Sequence, residues 1–147
     1  MKRIARSAIV EHSASELYAL VERIEAYPEF LPWCRAARVS EHSARRTVAT
    51  LAVGLKGVRY EFTTQNANQP QEAIEMKLLE GPFRHFAAQW HFHALGAQAA
   101  RIEFAMEYEF ASRVVATALA PVFRAIADTM VDAFKRRADE VYGAPAR

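Results

Sequence analysis

Apolar residues keep one of two spacings along most of the chain, and the changes between them mark out its elements. Arg3 to Glu11 is short, rich in Ile and Val, and reads as a strand. Ser13-Ala14-Ser15-Glu16 then places a serine cap ahead of Leu17, Leu20, Val21 and Ile24, which recur at helical spacing. In Tyr27-Pro28-Glu29-Phe30-Leu31-Pro32-Trp33-Cys34, two prolines four residues apart prevent a regular helix of more than about one turn. This stretch is a tight, aromatic-rich connection.

From Arg38 to Phe110 the period becomes two, as in half-buried antiparallel strands. Tyr60, Phe62 and Thr64 share one face; so do Ile74, Met76 and Leu78, then Trp90 and Phe92, then Ile102, Phe104, Met106 and Tyr108. Turn signals at Asn66-Ala67-Asn68-Gln69-Pro70, Gly81-Pro82 and Gly96 favour a meander of hairpins over parallel crossovers. Gly54 and Gly57 bracket another turn or a bulge.

The period then returns to helical. Val115, Leu119, Val122, Phe123, Ile126, Met130, Val131, Phe134 and Val141 form one broad stripe over about Val114 to Tyr142, with Gly143 as a stop. Pro121 is expected to bend this helix, and a bent helix can wrap around a curved sheet. The predicted fold is therefore α+β, a curved antiparallel sheet wrapped around a long C-terminal helix, with two short helices after the first strand. One domain is expected over 1–143, with 144–147 as a loose tail.

Composition narrows the function classes. A length of 147 residues suits one domain, and no stretch approaches the roughly 18 uninterrupted apolar residues of a membrane span. The basic start, Met1-Lys2-Arg3-Ile4-Ala5-Arg6, lacks the apolar core of a signal peptide, so the expected location is cytoplasmic, with peripheral contact at the inner membrane as an extension. Cys34 is the lone cysteine and reads as a small half-buried hydrophobe. Lys135, Arg136 and Arg137 are candidate contacts to RNA or anionic lipid, or simply the solvated end of a helix.

Catalytic patterns are absent from the sequence: it has no nucleophile elbow, phosphate-binding glycine loop, zinc pattern or Ser/His/Asp order. His91 and His93 fall on the polar face of their strand without a third ligand, so no metal site is expected. Glu103, Glu107 and Glu109 read as a solvated face paired with histidine or arginine.

Three motifs in order carry a resemblance: the octapeptide Tyr27 to Cys34; Leu79-Glu80-Gly81-Pro82-Phe83 followed by Trp90 and Phe92; and Val131-Asp132-Ala133-Phe134-Lys135-Arg136-Arg137-Ala138. They resemble the coenzyme Q-binding family of START-like domains, whose bacterial members are called ribosome association toxin A (RatA) or oligoketide cyclase/lipid transport proteins. The resemblance spans nearly the whole chain. It implies a helix-grip (START/Bet v 1-like) fold with a hydrophobic tunnel, no required cofactor, and ubiquinone or a similar polyprenyl lipid as ligand, in support of respiration. For bacterial relatives it also implies contact with the large ribosomal subunit and blocked subunit association. One departure stands out: Ala88 occupies a place where the family usually has glycine, which bears on ligand size.

On this reading Tyr60, Phe62, Met76, Trp90, Phe92, Phe104, Tyr108, Phe123 and Met130 line a cavity, the alternative being a packed core. Tyr27, Phe30, Leu31, Trp33 and Phe83 form a cavity mouth or partner surface, or else pack beneath the sheet edge. Three functions compete: a non-enzymatic lipid carrier or chaperone, a ribosome-binding protein, and a polyketide cyclase/aromatase. The last would draw its acid–base groups from Tyr60 and Tyr108.

Overall fold

A computed structural model describes residues 1–143; the tail expected over 144–147 lies outside the described residues. Strand β1 (Lys2–Val10) leads to helix α1 (Ala14–Glu22), where the Ser13 hydroxyl accepts from the Glu16 N–H and the Glu16 carboxylate accepts from the Ser13 N–H. This reciprocal capping satisfies two of the N–H groups that a helix start leaves unpaired. A 3-10 helix (Ile24–Glu29) follows, as tight as Pro28 requires.

Strands β2 (Cys34–His42), β3 (Arg46–Val53), β4 (Tyr60–Gln69), β5 (Ala73–Glu80), β6 (Phe83–Gly96) and β7 (Ala99–Phe110) then meander into helix α2 (Arg113–Tyr142). The seven strands form one antiparallel sheet in the order β1-β7-β6-β5-β4-β3-β2. Only the β1–β7 pairing is non-local, and it brings the first strand beside the last. Alternation sorts the faces as the sequence predicts: Phe86, Trp90, Phe104 and Met106 are buried inward, while His93, Arg101 and Glu109 lie on the exposed side.

One predicted turn is corrected. Asn66 to Gln69 are the last residues of β4, and the reversal comes at Pro70–Glu72. Asn66 and Asn68 are buried on the inner face, and the Asn68 amide donates to Thr47 Oγ1 at 3.0 Å. Asparagine signals a turn through its local hydrogen bonds; here a cross-strand partner takes that role.

Helix α2 starts at a Ser112 cap and runs without interruption through Pro121 to Gly143, whose positive φ and N–H to the Asp139 carbonyl close it. Its length and apolar content would pass for a membrane span, yet its stripe from Leu119 to Ala138 is buried within this fold. Val141 departs from the predicted stripe and is exposed. The last turn is tied to α1 and its capping loop by polar contacts instead: His12 to Asp139 at 2.7 Å and the Tyr142 hydroxyl to the Glu16 carbonyl.

At the opposite end of α1, the Glu22 carboxylate is hydrogen-bonded to His42 on β2. That bond, reinforced by the negative charge of Glu22, raises the His42 pKa above its ordinary value. A histidine whose folded pKa exceeds its unfolded one contributes stability that is full below the unfolded pKa and is lost as pH rises through the folded one. Because the imidazole is exposed, solvent screens most of the effect. An NMR titration is expected to place the His42 pKa above the ordinary histidine value, and Glu22→Gln to bring it back down; an unmoved His42 would contradict the assignment.

Candidate functional site

Between the concave sheet face and α2 lies a cavity of about 50 Å³. The sheet contributes Leu51, Phe62, Thr64, Met76, Phe86, Ala88, Trp90, Phe104 and Met106, α2 contributes Phe123, Ile126 and Met130, and the connection before β2 contributes Tyr27 and Trp33. None of these side chains is charged. Two aromatic clusters pack around it. In one, Phe62, Phe83, Phe86 and Phe123 pack with ring centroids 5.2 to 5.6 Å apart. In the other, Phe134 meets Tyr27, Phe30 and Trp90 edge-on at 5.1 to 5.5 Å.

The structure brings together six of the nine expected lining residues: Phe62, Met76, Trp90, Phe104, Phe123 and Met130. The other three belong to its surroundings. Phe92 faces inward but is covered by Tyr18 of α1 at 5.6 Å, Tyr108 packs on Phe123 at 4.8 Å beyond the cavity, and Tyr60 is half-buried at the start of β4. Periodicity could assign their face; it could not say which neighbour from another element would cover them. Ala88 does line the cavity, paired between Met76 and Met106, so its methyl group occupies space a glycine would leave open.

The expected mouth is corrected. Tyr27, Leu31, Trp33 and Phe83 are buried, and Phe30 is half-buried against Phe134, so they offer no surface to a partner. Exposing so much apolar area would forgo roughly 1.5–3 kcal/mol per side chain. The 3-10 turn instead folds Tyr27 and Phe30 against Phe134 of α2, Phe83 packs on Phe123, and Tyr27 and Trp33 become cavity walls. Arg137 is likewise committed, paired with Glu29 at 2.8 Å and stacked 4.9 Å over the Phe30 ring, whereas Lys135 and Arg136 are exposed beside Asp128 and Asp132.

The polar groups around the cavity are few, and most are occupied. The Tyr27 hydroxyl donates to the Val21 carbonyl, and burial drives its pKa well above the usual phenol range. The Thr64 hydroxyl donates to Asn66 Oδ1 at 2.9 Å. Burial pushes the nearby Cys34 thiol up to about 11, so it is protonated at neutral pH. Trp33 differs: its indole Nε1–H is buried and meets no acceptor among the described residues. An unpaired buried donor of this kind costs about 1–3 kcal/mol. Neither Tyr60 nor Tyr108 reaches the cavity, so a cyclase-like acid–base pair is not assembled there.

The opposite side of the sheet carries larger grooves, one of about 440 Å³ beside Arg3, Ala5, Ala87 and Glu107, but they are open and edged by charge. This face is a lattice of pairs: Glu107 with His85 and Arg3, and Glu103 with His93 and Arg101. The hydrogen bond from His85 holds the Glu107 carboxyl below its ordinary pKa. No group of three potential metal ligands converges among the described residues.

Residues 10–135 match the family model described as "Polyketide cyclase / dehydrase and lipid transport". The ribosome association toxin RatA of Vibrio cholerae is 39% identical over 143 residues, covering 97% of this chain and 99% of that protein. The mitochondrial coenzyme Q-binding protein COQ10 homolog B of Xenopus laevis is 26% identical over 97% of this chain and 61% of its own length. Among solved structures, the Zhui aromatase/cyclase of Streptomyces sp. R1128 superposes with a TM-score of 0.83 at 15% identity, covering 98% of this chain and 99% of that one, a likeness of fold.

Proposed function

The chain belongs to the polyketide cyclase/dehydrase and lipid transport family, and from that premise we propose that it binds the ring of a polyprenyl quinone or similar lipid between its sheet and α2, as a non-enzymatic carrier working in the cytoplasm and at the inner membrane. The observation that carries this reading is the uncharged, largely apolar lining, with two tryptophans and three methionines around one space. At about 50 Å³ that space is well below the roughly 300–1,000 Å³ of typical ligand pockets. Binding therefore requires the wall to yield. Met76, Met106 and Met130 are suited to this, since unbranched thioether chains repack at little cost. Each CH₂ of a tail drawn out of water would then contribute roughly 0.8 kcal/mol without a charged contact.

Trp33 and Trp90 are the protein's only tryptophans and both line the cavity, so they report on it directly. Titration with a decyl-substituted benzoquinone is expected to quench their fluorescence saturably and to raise the melting temperature in step with ligand concentration. Ala88→Leu, which fills the space from the β6 side, is expected to weaken this binding at least tenfold at a cost to stability of about 1–3 kcal/mol. Unsaturable quenching, or unchanged affinity in the variant, would remove the cavity as the site.

A second reading has its own support in the near full-length similarity to RatA. In it the protein binds the large ribosomal subunit, with Lys135 and Arg136 as the exposed cations available to phosphate. Co-sedimentation with large subunits that weakens with salt and with charge reversal at these two positions would favour it. Binding indifferent to both would count against it.

A further inference from the structure

The one unpartnered buried side-chain donor among the described residues belongs to the cavity wall, which bears on what the cavity accepts. Trp33 is 2% exposed, its Nε1–H has no acceptor, and it is a lining residue. The other polar groups of the lining are spoken for. Tyr27 gives its proton to the Val21 carbonyl and Thr64 gives its own to Asn66, so Thr64 can turn only lone pairs toward a ligand. Resting on the lipid-binding reading above, we infer that Trp33 Nε1–H is the hydrogen-bond donor to the ligand, and that the site selects a neutral molecule bearing a carbonyl acceptor, of the quinone or ketone class.

The rest of the lining supports the same chemistry by what it would penalise. A carboxylate, as on a fatty acid, would be buried with no cation in the wall to meet it. A hydrocarbon would leave the indole N–H as unsatisfied as before. A quinol would bring hydroxyl hydrogens that need acceptors, and the lining offers only the lone pairs of the Tyr27 and Thr64 hydroxyls to take them, while its oxygen would make less use of the indole N–H than a carbonyl does. A quinone carbonyl presents only lone pairs, and the indole presents only a hydrogen.

The experiment compares the full chain with Trp33→Phe, which keeps an aromatic ring but removes the N–H. Both are titrated with decyl-benzoquinone and with decylbenzene, read by the rise in melting temperature. The expected result is an affinity for the quinone lowered about tenfold in the variant, the equivalent of about 1.4 kcal/mol, and an unchanged affinity for decylbenzene. In the parent chain, the Trp33 indole proton is expected to move downfield in NMR spectra with the quinone and not with decylbenzene, a readout that does not depend on the variant folding. Equal quinone affinity in both proteins with a static indole resonance, as when the N–H bonds internal water throughout, would overturn the inference alone. Equal losses for the two ligands would also overturn it, by showing that only ring shape matters. If the parent chain bound neither ligand, the lipid-binding reading would fall first and this inference with it.

Discussion

Replacing Phe134 with alanine is expected to cost about 3–5 kcal/mol, the range for deleting a buried aromatic side chain. Phe134 is fully buried in the C-terminal third of α2 and contacts three rings edge-on, those of Tyr27, Phe30 and Trp90. It therefore joins three separate parts of the chain: the gripped helix, the 3-10 connection and the interior strand β6. The loss combines removal of apolar area, the void left behind, and three aromatic pairings of about 0.5–1.5 kcal/mol each that overlap with it. Against a total stability of about 5–15 kcal/mol, this removes a large fraction of the margin that keeps the protein folded. Urea unfolding followed by circular dichroism measures it, with Val114→Ala on the same helix as the control. Val114 is 76% exposed, so its change should stay within about 0.5 kcal/mol. A Phe134→Ala loss below about 1.5 kcal/mol would mean that α2 is not gripped as described.

The reach of the sequence can be judged from the same residues. A helix stripe with a period near 3.6 put Phe134 inside, and alternation put Trp90 and Phe104 on the inner face, because both patterns follow from backbone geometry alone. The capped start of α1 was equally plain in Ser13 and Glu16. What the pattern does not carry is which inward side chain meets empty space. Phe92 and Phe104 have the same parity in their strands, yet one lies under Tyr18 and the other on the cavity. That difference depends on where α1 rests, a matter of packing between distant segments. The width of the cavity is harder still, since it depends on methionine rotamers and on a single methyl group at Ala88. The orphaned Trp33 donor had no sequence signal at all: its octapeptide could be read as a gate or as packing, and only the placement of the ring shows an N–H without a partner.

Asn68 falls in a predicted turn but belongs to a buried polar pair between β3 and β4, and that pair makes the last prediction. Thr47 and Asn68 are 1% and 4% exposed, and the Asn68 amide donates to the Thr47 hydroxyl at 3.0 Å. Asn68→Ala removes the donor and leaves Thr47 Oγ1 buried without it, at an expected cost of about 1–3 kcal/mol. The backbone pairing should survive, because the Asn68 N–H is held by the Arg45 carbonyl and does not involve the side chain. Changing both partners to apolar groups of similar shape, Asn68→Leu with Thr47→Val, should recover most of that loss, since nothing polar is then left unpaired. The asymmetry separates two reasons for burying these groups. If the pair stabilised the sheet outright, the double variant would be at least as unstable as the single one. If its main effect is to fix the register of β4, by leaving slipped pairings with buried orphans, the double variant should be stable but show broader amide exchange along β4. Denaturation of Asn68→Leu, Thr47→Val and the double variant gives the coupling energy directly, and a coupling near zero would show that the hydrogen bond contributes to neither.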